Sequence, residues 1–317
     1  MTKKNNFLDF LIVGAAKSGT TALHEYLDKH PDVFLPAEKE LYFWQVRANP
    51  NQAIVRHFEG RKTIPQTLEA YQANYEAVKL GQKVGEATPS YLYYHKYTIQ
   101  SLSELYPQPE QIKIIIILRD PVDRIISQYR FVKKLGLDPE DLNLEDSLDA
   151  EEGRRQQNVL LPDLFYQDVS RYASQVAAYK NYFDSVKVVL YDELKKDAGG
   201  LCEQLCSFIG VDPEKLPVVG NEIHNQSKTR TEVRTIAKKI SKVLGPFWRI
   251  MPEGRVKESI RHLAFVERPN QVGPVSANVM LELYQTFLPE LDELELVTGL
   301  DLADWKDRYQ AAIDDLS

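Results

Sequence analysis

Only two cysteines, Cys202 and Cys206, occur in the 317 residues, and they stand four apart in a segment patterned as helix. That spacing places both on one helical face, so it suggests neither a disulfide framework nor a metal site. Positive charge is also scarce: 39 Lys and Arg against 46 Asp and Glu leave a net charge of −7. Broad binding to nucleic acid or to an anionic membrane needs a dominant positive field, which this chain lacks. Any anionic ligand must then be held by a local cluster of donors. Long apolar runs are missing as well. The segment Phe7–Val13 is interrupted by Asp9 and meets a glycine-bearing loop too soon for a membrane span or a signal peptide. A cytoplasmic chain is the expectation. No internal repeat or low-complexity segment stands out.

What is present is ordinary globular material. Hydrophobic residues make up 43 % and charged residues 27 %, enough for a sizeable core. The length suits one α/β domain over residues 1–317, with a surface insertion at 135–161, where the sequence is acidic and poor in strongly apolar positions. Phe7–Val13 reads as a strand, Gly14–Thr20 as a loop, and Leu23, Tyr26 and Leu27 as the apolar face of a helix. The run Ile112–Leu118 is too apolar for a half-exposed strand and predicts one buried on both faces of a parallel sheet. Pro121 then suits the first turn of a helix in which Val122, Ile125, Ile126, Tyr129 and Val132 keep helical spacing. Further strands are expected at Lys83–Glu86 and Val186–Leu190. Helices are expected at His95–Tyr106, at Val169–Phe183 and around Met280–Leu291, with Trp305 closing the ordered chain by packing. This alternation predicts a central parallel sheet with helices on both faces.

The loop carries the chemistry. Gly14-Ala-Ala16-Lys17-Ser18-Gly19-Thr20-Thr21 gathers small residues, two glycines, a cation and three hydroxyls where a strand turns into a helix. Backbone N–H groups and the positive end of the helix can point into such a turn, and glycine admits a close ligand. The common nucleotide loop ends Gly-Lys-Ser/Thr, whereas here Lys17 stands two residues before Gly19.

This order, followed by His30-Pro31-Asp32-Val33, resembles the sulfotransferase family and is similar to the branch that includes heparan-sulfate and many bacterial sulfotransferases. The resemblance implies a fold related to the nucleotide kinases and a donor, 3′-phosphoadenosine 5′-phosphosulfate (PAPS). It implies that Ala16 to Thr21 hold the phosphosulfate, with Lys17 neutralising the leaving phosphate. A second family motif, a strand ending in Arg-Asp-Pro and then a helical serine, maps the 3′-phosphate site to Arg119 and Ser127. A guanidinium fork and a hydroxyl suit a phosphate. Taken alone, Arg119 would read as well as the ion-pair partner of Asp120 or Asp123. Arg230, in Asn225–Arg230, and Arg268, before the late helix, are further phosphate ligands by weaker similarity.

Sulfuryl transfer asks for an in-line nucleophile, a base and positive charge at the leaving oxygen. The stretch Glu38–Trp44 resembles the family segment whose glutamate is the base, which maps that role to Glu40. Its apolar flank is expected to tune the carboxylate. Glu86 matches a segment near the acceptor, where several relatives with sugar substrates carry a lysine next. Ala87 stands there instead, which disfavours a sulfated polysaccharide. The expected acceptor is a hydroxyl or amine on a small molecule, sugar, lipid or carrier-tethered chain. His24, His30 and His57 are alternative bases, with packing or capping the favoured role for the first two. Two other functions fit the same fold: a nucleotide-dependent kinase, for which the Lys-Ser/Thr pair and a clear acidic magnesium ligand are missing, and a silent nucleotide-binding scaffold, against which Lys17 and Glu40 speak.

Overall fold

Alternation of apolar side chains in two neighbouring strands organises the molecule. Leu11 and Val13, with Ile114, Ile116 and Leu118, enter one hydrophobic core, while Phe10 and Ile12, with Ile115 and Ile117, enter a second on the opposite face. Each strand is therefore buried on both sides, as a parallel sheet between helices requires. A computed structural model of the chain describes residues 7–49, 51, 64–135, 137–138, 140–156, 162–217 and 273–316.

In chain order the first elements are β1 (Phe10–Gly14), α1 (Thr20–Leu27), β2 (Val33–Phe34), α2 (Phe43–Arg47), α3 (Leu68–Gln72), β3 (Lys83–Ala87) and α4 (His95–Leu105). They continue with β4 (Lys113–Leu118), α5 (Pro121–Leu135), α6 (Leu144–Gln156), α7 (Tyr166–Ser170), α8 (Tyr172–Tyr182) and β5 (Val186–Leu190). The last are α9 (Tyr191–Lys196), α10 (Ala198–Ile209), α11 (Ala277–Thr298) and α12 (Ala303–Leu316). The five strands lie in the order β2-β3-β1-β4-β5, all pairs parallel. β1 has β3 on one side and β4 on the other, so successive connections leave it in opposite directions. In open α/β sheets such a switch point opens a crevice at the carboxyl ends of the strands. α1 and α10 cover one face, and both cysteines are free and buried there on α10. No helix among the described residues is long and apolar enough to cross a membrane.

Three features depart from the pattern read in the sequence. The helix expected over Val169–Phe183 is two helices, α7 and α8, broken at Arg171 with ψ near 85°. The break is held by one long-range and one local partner: Glu290 of α11 accepts from Ala173 N at 2.8 Å, and Gln175 donates to the carbonyl of Arg171, four residues before it, at 2.8 Å. The segment 135–161 holds α6, whose Leu144 and Leu148 join the main core, so part of it packs inward. Trp305 does not close the ordered chain. α12 continues past it, because Tyr309 prolongs the same apolar face and is fully buried.

Candidate active site

Side chains from four strand ends meet at the carboxyl edge of the sheet. After β1 the chain makes a tight loop against the turn that follows β3. A Cβ on Gly14 would lie 2.5 Å from Leu92 Cβ and 2.9 Å from the carbonyl oxygen of Pro89, so only glycine fits. Gly19, with φ 94°, takes the left-handed conformation that starts α1. Ser18 and Thr20 are buried, Ala16 and Lys17 are half-buried and Thr21 is exposed. The Ser18 hydroxyl has no hydrogen-bond partner. Glycines that fit only here, an orphaned buried hydroxyl and a helix N-terminus are what an oxyanion group needs, so the loop fits the phosphosulfate expected of it.

Lys17 projects from this loop with its Nζ 4.0 Å from the ring centroid of Phe131 on α5. Its pKa is pushed down to about 8, first by burial and then by the guanidinium groups of Arg124 and Arg119, with Asp163 and Glu40 acting the other way. Arg119, at the end of β4, folds back so that Nη1 lies 3.5 Å from the Lys17 carbonyl oxygen, with the guanidinium 5.3 Å from the Tyr191 ring centroid. Its neighbours Asp120 and Asp123 are taken by α12. Arg308 forms ion pairs with both, and the Tyr309 hydroxyl donates to Asp120 Oδ1 at 2.9 Å. The alternative of Arg119 paired with one of these aspartates is thereby removed. Ser127 lies half-buried on α5, on the same face as Arg124 and Phe131.

Glu40 reaches this edge from the loop after β2. Its backbone N–H donates to the carbonyl of Ala87 at 3.0 Å, which ties the loop to the end of β3. One of its carboxylate oxygens, Oε2, accepts a short hydrogen bond from the Tyr42 hydroxyl. Leu41, Tyr42, Phe43 and Trp44 are all buried, and the Glu40 side chain is half-buried beside them. Lys17, Glu40 and Tyr42 have φ of 69°, 58° and 55°, and among the described residues the only other non-glycine at positive φ is Asp141. Such residues cost about 1 kcal/mol or more each and cluster where geometry is held for function.

Glu86 is placed differently from the acceptor contact read in the sequence. It is fully buried, and its carboxylate accepts from Thr88 Oγ1 at 2.6 Å, from Tyr91 OH at 2.8 Å and from Tyr71 OH. Tyr91 in turn accepts from Trp44 N at 3.4 Å, and Tyr71 accepts from Trp44 Nε1 at 3.0 Å. Glu86 thus anchors, through two tyrosines, the start of the helix that follows Glu40. Hydroxyl donors from α3 and from the turn after β3 seal it from solvent, and no local sequence signal announces them.

His24 and His30 take packing roles. His24 is buried, its pKa pushed down to about 4 by burial and by Lys39. His30 Nδ1 accepts from Asp32 N at 3.0 Å, so Nε2 carries the proton that is donated to the Asp212 carbonyl at 2.8 Å. His57, Arg230 and Arg268 lie outside the described residues. Sequence reading missed Phe131 beneath Lys17, Tyr42 on Glu40, and Arg124. A helical i, i+3, i+7 spacing of Arg124, Ser127 and Phe131 was the available signal.

Residues 8–242 match the family model described as Sulfotransferase domain, well over half of the chain. The chain is 34 % identical over 124 residues to the membrane-associated sulfotransferase kil1 of Dictyostelium discoideum, an alignment covering 39 % of this chain and 22 % of that protein. It is 33 % identical over 123 residues to the mouse (Mus musculus) heparan sulfate glucosamine 3-O-sulfotransferase 3A1, covering 38 % of this chain and 25 % of that one. The match therefore spans about a quarter or less of the length of either curated relative. Among solved structures, a sulfotransferase from Alicyclobacillus acidocaldarius superposes with a TM-score of 0.68 at 27 % identity, covering 94 % of this chain and 98 % of that one.

Proposed function

The chain belongs to the sulfotransferase family, and on that premise we propose that it transfers a sulfuryl group from PAPS to an acceptor hydroxyl or amine. The observation that carries this reading is the convergence of Lys17 and Glu40. They come from different strand ends, and Lys39, next to Glu40, donates to Thr21 Oγ1 of the loop that carries Lys17 at 2.9 Å, which holds the two segments against each other. A cation for the leaving phosphate and a base for the acceptor thus share one crevice, which neither a kinase loop nor a silent scaffold needs.

When bound, PAPS supplies an activated sulfuryl group on a phosphate leaving group. The loop from Ala16 to Thr21 holds its 5′ end, and Arg119 with Ser127 holds the 3′-phosphate. Arg119 suits that role because α12 occupies the neighbouring aspartates. Lys17 holds positive charge where the leaving oxygen becomes negative. Glu40 takes the acceptor's proton through one carboxylate oxygen, while the Tyr42 hydroxyl fixes the other. Glu86 serves as a positioning residue for this segment.

Tyr42 and Tyr94 form a small cluster near Glu40 with Tyr93 and Tyr97 packed against it. An aromatic wall of this kind suits the flat apolar face of a sugar or of a small hydroxylated molecule. The two buried, free cysteines support a cytoplasmic setting. Calorimetry tests the donor assignment: adenosine 3′,5′-bisphosphate should bind far more tightly than ADP, without magnesium. Equal affinity for the two, or a strict need for magnesium, would favour the kinase reading. Labelled PAPS offered with a panel of hydroxylated and amine acceptors would then identify the acceptor.

A further inference from the structure

Arg124 is 1 % exposed on the α5 face that also carries Ser127 and Phe131. Its Nε donates to Ser170 Oγ at 2.6 Å and its Nη2 to the Tyr166 carbonyl at 2.9 Å, both neutral acceptors. Among the described residues it makes no ion pair. Glu151 and Asp163 favour its charge only from beyond ion-pair distance, and a buried guanidinium with no carboxylate in contact carries a large desolvation penalty. The two acceptors do not depend on it, because Ser170 Oγ donates to the Tyr166 carbonyl at 2.8 Å. Two more polar groups nearby are unsatisfied. The Ser18 and Tyr172 hydroxyls are fully buried without a hydrogen-bond partner. They sit beside one another outside good hydrogen-bond geometry, and burial holds the Tyr172 hydroxyl well above its ordinary pKa, against the opposing charge of nearby Arg124.

We propose that Arg124 is a positioning residue whose missing counter-charge is the 5′-phosphosulfate of the donor, held from the α5 side of the loop together with the Ser18 and Tyr172 hydroxyls. This rests on the donor assignment above. Without ligand, Lys17 faces Arg124 on α5 and Arg119 at the end of β4. Asp163, before α7, and Glu40, before α2, offset them. An anion entering the loop relieves this repulsion and satisfies the buried groups at once.

The test is calorimetry with adenosine 3′,5′-bisphosphate and with adenosine 3′-monophosphate, which lacks the 5′ group, on wild type, Arg124→Met, Arg124→Lys and Tyr172→Phe. Denaturant unfolding of each ligand-free protein accompanies it. Arg124→Met should bind the bisphosphate at least about tenfold more weakly, with the 3′-monophosphate unchanged. Arg124→Lys, which keeps the charge, should retain most of the affinity, and Tyr172→Phe should lose several-fold for the bisphosphate alone. Ligand-free Arg124→Met should be no less stable than wild type, and its alkaline loss of bisphosphate affinity should begin at higher pH. Unchanged bisphosphate affinity, equal losses for both nucleotides, or a variant that is destabilised or unfolded without ligand would each assign Arg124 a structural role and overturn the proposal. Wild-type protein that binds neither nucleotide would instead overturn the donor assignment.

Discussion

Raising the pH from 7 to 9 should weaken adenosine 3′,5′-bisphosphate binding by about tenfold, a free-energy loss of about 1.4 kcal/mol. The cause is Lys17, whose pKa of about 8 reflects burial and the neighbouring Arg124 and Arg119. At that pKa the ammonium is about nine-tenths populated at pH 7 and about one-tenth at pH 9, and only the charged form neutralises a phosphate. The phosphates themselves do not contribute, since their second ionisation, near pH 6, is complete across this range. An ordinary lysine, with a pKa of about 10.4, would leave affinity nearly flat. Calorimetry at pH 7, 8 and 9, in buffers of different ionisation enthalpy, should show proton uptake on binding near pH 8, because the bound phosphate returns the proton to Lys17. The stability of the ligand-free protein should move the opposite way. A lysine held below its unfolded pKa binds fewer protons when folded, so its contribution to stability improves as pH rises from about 8 toward 10.5. Lys17→Ala should abolish both the slope and the proton uptake. Wild-type affinity that stays level between pH 7 and 9 with no proton uptake would refute the reasoning.

Three further outcomes follow from the site. Glu40→Gln keeps the shape and removes basicity, so turnover should fall by about two to four orders of magnitude while calorimetry shows bisphosphate binding intact. Full turnover in that variant would move the base elsewhere. Glu86→Gln should lower stability by about 1–3 kcal/mol in denaturant unfolding. If the new carbonyl oxygen keeps Thr88 and Tyr91, the amide NH2 faces Tyr71, whose oxygen already accepts from Trp44 Nε1 and from Tyr75, so the Tyr71 proton loses its acceptor; the flipped amide sets its NH2 against the Thr88 and Tyr91 hydroxyls instead. A stable Glu86→Gln variant with a raised acceptor KM would show that Glu86 meets the acceptor after all. Arg308→Ala should release Asp120 and Asp123 to compete for Arg119, weakening the bisphosphate several-fold but leaving a nucleotide without the 3′-phosphate unaffected. Equal effects on both ligands would show that α12 does not act through Arg119.

How much of this was legible depended on whether a feature is contiguous. The phosphate loop could be read because strand, glycines, lysine and helix must be adjacent in sequence to make a turn whose N–H groups face inward. Arg119 and Ser127, given by resemblance to a family motif and proposed here for the 3′-phosphate, likewise sit close in sequence, at a strand end and on the helix that follows. What the sequence concealed is how distant segments decide the state of each residue. Glu86 reads as a match to a segment near the acceptor until Tyr71 and Tyr91 are seen to close over it. Arg119 reads equally as an ion-pair partner of Asp120 until Arg308 and Tyr309, nearly two hundred residues later, claim that carboxylate. The break between α7 and α8 was hidden likewise, since Glu290 on α11 caps α8 from outside. Local pattern therefore identifies which groups carry the chemistry, whereas long-range partners determine which of them are left available for a ligand. By that reasoning buried Arg124, which makes no ion pair among the described residues, and the unpartnered Ser18 and Tyr172 hydroxyls support the proposed ligand site alongside the motif.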